Sequence, residues 1–94
     1  MIFENKMKVE GGKFARLNFA VAHDAIKSVK ITGDFFLYPE DALEKIEASI
    51  IGMKVPFDAV EAEKNIIRVI EAEKAELVGI TPKDFAEMIS ECLK

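Results

Sequence analysis

Apolar and polar residues alternate along the first third of the chain with a period of two. Phe3, Met7 and Val9 alternate with Glu4, Lys6 and Lys8, and Ala15, Leu17, Phe19 and Val21 with Arg16, Asn18 and Ala20; Val29 and Ile31 follow on either side of Lys30. A strand sends successive side chains to opposite faces, so this pattern predicts strands. Two turn signals separate them, "EGGK" at 10–13 and "AHDA" at 22–25. A two-residue Gly11-Gly12 loop would pair Met7 with Arg16 and send the apolar sets to opposite faces. An odd loop pairs Met7 with Ala15 and unites them. A three-residue or bulged hairpin with a glycine at positive φ is therefore expected. The opposite face then carries Lys6, Lys8, Arg16, Asn18, Lys30 and Thr32.

The alternation collapses at "GDFF", Gly33 to Phe36. Two adjacent phenylalanines cannot both enter one core from a strand. Phe35 shares the parity of Val29 and Ile31; Phe36 points the other way. In one reading Asp34 closes an Asx-type turn while both rings plug the end of the core. In the other, one ring stays outside as an anchor for a partner.

The period then changes to that of helices. Pro39 suits a first helical position, with Glu40 and Asp41 complementing the helix dipole. Leu43, Ile46 and Ile50 form the apolar stripe, and Gly52 marks the stop. Asp58-Ala59-Val60-Glu61 has a capping-box pattern ahead of Ala62, Ile66, Val69 and Ile70. Thr81-Pro82-Lys83-Asp84 starts a third helix through Phe85, Met88, Ile89 and Cys92. "AELVGI" at 75–80 reads equally as an extended segment or a frayed helix end. The expected fold is α+β: an antiparallel sheet of about three strands with helices packed on one face.

Ninety-four residues with half of them apolar make a single domain, 1–94, and nothing approaches the ~20 apolar residues that span a bilayer. The N-terminal "MIFENKMK" has neither a long apolar region nor a small-residue cleavage site, so a cytoplasmic protein is expected. One cysteine and one histidine exclude an internal disulfide and leave a His/Cys zinc site short of ligands. The net charge of −4 argues against general nucleic-acid binding, and no membrane partner is expected. The charge is uneven, however. Residues 1–33 carry six basic side chains against three acidic ones, a local +3, which leaves −7 on the remainder. The predicted basic sheet face is thus a surface suited to an acidic partner.

Catalytic chemistry is not evident. His23 and Asp24 fall at a hairpin tip, where a general base finds neither pocket nor orienting partner. Cys92 lies on the apolar stripe of its helix as a small hydrophobe. Gly11, Gly12 and Lys13 have the residue types of a phosphate loop without its spacing, so they read as a tight turn first and an anion contact second. A non-enzymatic α+β module docking an acidic partner through its basic face is one account of the whole.

Another comes from the order "GGK", a polar hairpin, "IKSVKITGDFFLYPEDALEKIEASIIG" and "GITPKDFAEMI". It resembles the C-terminal accessory domain of lipoate–protein ligases over nearly the whole chain. The matching signatures are Gly33 to Phe36, the Pro39-acid-acid start, Ile51-Gly52, and Thr81 to Phe85. The resemblance implies the small subunit of a two-chain, ATP-dependent ligase, with the catalytic lysine and the lipoate site on a separate large subunit. Lipoate and ATP would give lipoyl-adenylate and pyrophosphate, and the acyl group would pass to a lysine of an acceptor protein. This chain alone would bind no cofactor, while the complex would use ATP, magnesium and lipoate. Its partners would be the catalytic subunit, as a heterodimer, and indirectly a lipoyl-acceptor domain. Gly33, Asp34, Phe35 and Phe36, with Lys6, Lys8, Arg16 and Lys30, are the residues expected to face the partner or its active site.

Overall fold

The computed structural model describes residues 1–8 and 14–93. Its first hairpin has the register that parity required. β1 (Ile2–Lys8) pairs antiparallel with β2 (Phe14–Ala22), and Met7 lies opposite Ala15. The glycine loop and its expected positive φ lie outside the described residues. β2 then pairs antiparallel with β3 (Ala25–Gly33), giving the sheet order β1-β2-β3. The turn between them places His23 and Asp24 at φ of 54° and 60°. Two consecutive left-handed residues twist a two-residue hairpin in the sense its strands need. A register shift at Ala20/Val21 inserts one extra residue on β3. That bulge is why Ile26, three residues from Val29, also enters the core.

The helices differ from expectation in detail. α1 spans Ala42–Ile50, so Pro39 is not its first residue. The Pro39 carbonyl accepts from the Ala42 N–H and that of Glu40 from the Leu43 N–H, both at 3.1 Å. These i→i+3 bonds make a tighter turn than a helix, and the chain enters α1 through it. Gly52, at φ 94°, ends the helix as expected. α2 spans Ala59–Ala72, with the Asp58 carboxylate accepting from the Glu61 N–H. Only this half of the expected capping box forms; the Glu61 carboxylate turns instead toward Arg68, 3.8 Å away. α3 spans Pro82–Cys92 and has the full reciprocal box between Thr81 and Asp84.

The ambiguous 75–80 segment is extended. Its β5 (Glu76–Val78) pairs antiparallel with β4 (Phe36–Tyr38) in a separate two-stranded ribbon. The architecture is thus α+β, with one element beyond the three-stranded sheet. α1 and α3 pack on the sheet, and α2 packs on α1 and α3. Phe19, Leu17, Ile31, Ile46, Ile66, Phe85 and Met88 are among the fully buried side chains at the centre. Each such burial contributes about 1.5–3 kcal/mol, which is what a small domain has to set against chain entropy. Phe3 covers one flank, its ring stacked 4.9 Å from that of Phe19.

The outer edge of β3 is covered piecewise. Ile26 donates to the Met53 carbonyl and accepts from the Gly52 N–H, at 2.9 and 2.8 Å. Farther along, the Ile31 N–H donates to the Glu47 carboxylate of α1 at 2.8 Å. Both contacts occupy backbone groups that would otherwise template a foreign strand.

Candidate functional site

The strand register assembles the basic face row by row. Lys6, Arg16 and Thr32 lie directly opposite one another across the three strands, with Glu4, Asn18 and Lys30 in the next row. Phe3, Asn5, Met7 and the core residues of β2 and β3 occupy the other face. Asn5 is the polar member of that inner set, and its amide donates to the Met88 carbonyl of α3 at 2.9 Å. Lys6, Lys8 and Lys30 are exposed, and Arg16 is half-buried.

None of these four cations has a carboxylate within 4.0 Å among the described residues. The ion pairs there join Lys45 to Glu73, Arg68 to Glu61 and Lys83 to Glu87, all on the helical side. The hydrogen bond and charge of Glu73 hold Lys45 above its ordinary pKa. The Arg16 Nε is shielded from solvent and has no hydrogen-bond partner among the described residues. A covered, unsatisfied donor is costly.

The "GDFF" corner joins this face to the ribbon. Gly33 is required by proximity: a Cβ there would lie 2.5 Å from the Phe14 carbonyl oxygen and 2.9 Å from the Ala15 Cα. Asp34 does not close an Asx-type turn. Its carboxylate accepts from the Phe14 N–H at 2.6 Å, across on β2. Strand pairing carries one position beyond Gly33 there, and the side chain supplies the last rung. The rings divide as their parity suggested. Phe35 turns inward and meets Phe85 edge-on, centroids 5.6 Å apart, whereas Phe36 is 52% exposed. The reading that buries both rings is therefore incorrect.

Sequence periodicity missed the exposed face of the ribbon. Phe36 lies opposite Val78 and, two residues on, Tyr38 lies opposite Glu76, all on the side away from buried Leu37. The missed signal was the alternation Phe36-Leu37-Tyr38, concealed inside an apolar run. A cleft of about 530 Å³ separates this ribbon from β3, lined by Lys30 and Thr32 on one side and Phe36 and Tyr38 on the other.

Other candidates contribute little chemistry. His23 and Asp24 are exposed at the hairpin tip. Burial pushes the Cys92 thiol up, and it packs at the margin of the core. Gly11, Gly12 and Lys13 lie outside the described residues. Among the described residues, no three His, Cys, Asp or Glu side chains are grouped to hold a metal ion, and no helix is long and apolar enough to cross a membrane.

Comparison with known proteins gives this geometry a context. A family model described as bacterial lipoate protein ligase C-terminus matches residues 2–89. The chain is 27% identical over 89 residues to lipoate-protein ligase A subunit 2 of Thermoplasma acidophilum, covering 95% of this chain and 88% of that protein. It also matches a chain in the solved structure of an archaeal lipoylation system from the same organism, a bi-partite lipoate protein ligase and its E2 lipoyl domain. The TM-score is 0.73 at 25% identity, covering 95% of this chain and 94% of that one.

Proposed function

Since the chain belongs to the family of bacterial lipoate protein ligase C-terminal domains, we propose that it acts as the accessory subunit of a two-chain, ATP-dependent lipoate–protein ligase. In this role it joins a catalytic subunit and promotes activation of lipoate to lipoyl-AMP, which precedes transfer to a lysine of an acceptor protein. One observation carries the proposal: the match to a ligase subunit 2 runs nearly end to end in both chains.

The basic face supports a physical role. Activation brings anionic lipoate and anionic triphosphate together and forms a mixed anhydride that water destroys. Lys6, Lys8, Arg16 and Lys30, unneutralised by carboxylates within 4.0 Å among the described residues, supply positive potential. A domain held over the catalytic subunit also excludes water. The proposal assigns ATP, magnesium and lipoate to the catalytic subunit.

The test is reconstitution. The purified chain is added to its catalytic subunit with ATP, magnesium and lipoate, and lipoyl-adenylate is measured. A rate that rises with added chain and saturates at one equivalent is expected; an unchanged rate rejects the role.

A further inference from the structure

Phe36 and Val78, 52% and 53% exposed, are directly paired on the outer face of the ribbon, and Tyr38, 66% exposed, continues the same face. Three large apolar side chains on a two-stranded element of six residues form a patch of a kind that marks interaction sites. The cleft beside it adds polarity: Lys30 and Thr32 stand opposite Phe36 and Tyr38. Lys30 has no carboxylate within 4.0 Å among the described residues, although Glu40 lines the same cleft. A small molecule in this cleft would leave Val78 uncovered, because Val78 borders a different depression, with Met7, Lys8 and Thr81. A protein surface laid across the ribbon covers the paired Phe36 and Val78 together.

We propose that the outer face of the β4–β5 ribbon, with Lys30 and Thr32 across the cleft, is the surface that docks the catalytic subunit. The matching surface on that subunit presents apolar side chains to Phe36, Tyr38 and Val78 and a carboxylate to Lys30. The proposal rests on the accessory-subunit role above. Aromatic anchors carry a disproportionate share of binding energy when a partner desolvates them, and the charge complementarity at Lys30 fixes orientation and speeds encounter. The ribbon also stands next to the basic sheet face, so docking here brings that face alongside the partner.

The experiment measures the dissociation constant of the complex by titration calorimetry for wild type, Phe36→Ala/Tyr38→Ala, Lys30→Glu, and Val60→Ala. Val60, 62% exposed on α2, controls for loss of an apolar side chain elsewhere. The double variant should bind at least about thirtyfold more weakly, with its melting temperature near that of wild type. Lys30→Glu should weaken binding and flatten its salt dependence, and Val60→Ala should change neither. Wild-type affinity in both the double variant and Lys30→Glu overturns the docking surface while leaving the accessory role intact. A double variant that binds normally but fails to support adenylation also overturns it, in favour of a ligand in the cleft. If the wild-type chain neither binds nor activates the catalytic subunit, the accessory role falls and the docking surface with it.

Discussion

Asp34 and Phe14 are bonded in both directions: the Phe14 N–H donates to the Asp34 carboxylate at 2.6 Å, and the Asp34 N–H donates to the Phe14 carbonyl at 3.1 Å. This reciprocal pair ties the start of the "GDFF" corner to β2. Asp34→Ala removes one of the two bonds at a solvent-exposed position, at a cost of about 0.5–1.5 kcal/mol. Chemical denaturation should show that loss, and Asp34→Asn, which keeps an acceptor, should recover most of it.

Gly33→Ala is expected to be worse, although it adds a single methyl group. The new Cβ would meet backbone, the Phe14 oxygen and the Ala15 Cα, at 2.5 and 2.9 Å. Neither can move without opening the β2–β3 ladder. Overpacking of this type costs about 1–3 kcal/mol or more. A melting temperature equal to wild type would show that the strands separate without penalty.

The two phenylalanines should respond in opposite ways. Phe35→Ala removes an inward ring packed on Phe85 and should destabilise the domain by about 2–4 kcal/mol, below the full range for a buried ring because Phe35 is only half-buried. Phe36→Ala, at an exposed position, should stay within about 0.5 kcal/mol of wild type. Equal destabilisation of the two variants would contradict this division.

Glu47 is expected to be worth more than a surface carboxylate. Its Oε2 accepts from the Ile31 N–H on the edge of β3. Glu47→Ala leaves that donor without a partner, at about 1–3 kcal/mol. Glu47→Gln retains the acceptor and should remain near wild type. Hydrogen exchange at the Ile31 amide provides the direct readout, accelerated in the alanine variant and close to native in the glutamine variant.

Much of this was legible in the sequence, and the exceptions share a physical origin. Parity alone set Met7 against Ala15, because a one-residue slip would have turned every core residue outward. The Thr81 helix start and the Gly52 stop were equally plain, since both rest on contacts within a few residues of chain, whereas the box expected at Asp58 forms only in half and the one at Thr81 was not read as such. Asp34, Glu47 and Asn5 were misread or missed because their partners lie 20, 16 and 83 residues away. The ribbon was missed because β4 and β5 are three residues each and separated by two helices. In strands that short the alternation, as at Phe36-Leu37-Tyr38, spans one period and is lost inside an apolar run until the pairing shows it. The basic face was visible as parity, but its lack of carboxylate partners required the positions of the helices.

That lack leads to a prediction about ionic strength. If Lys8 and Arg16 act on the catalytic subunit through their charge, activation should weaken as salt rises, since screening shortens to about 8 Å under physiological conditions. Lys8→Glu combined with Arg16→Glu should weaken it further while the domain stays folded. Adenylation rates measured across a salt series check this, and a flat response would assign the contact to apolar groups alone.

The segregation of charge also bears on how the molecule moves before it touches anything. With an excess of cations on the sheet, and with carboxylates and their ion pairs on the helices, the domain is an electric dipole. In the field of an acidic neighbour it experiences a torque as well as an attraction, and it turns its sheet forward while still separated by solvent. Most random collisions of two proteins present the wrong sides. A particle that rotates into alignment during approach wastes fewer of them, so lysines arranged in this way would shorten the search for an acidic partner.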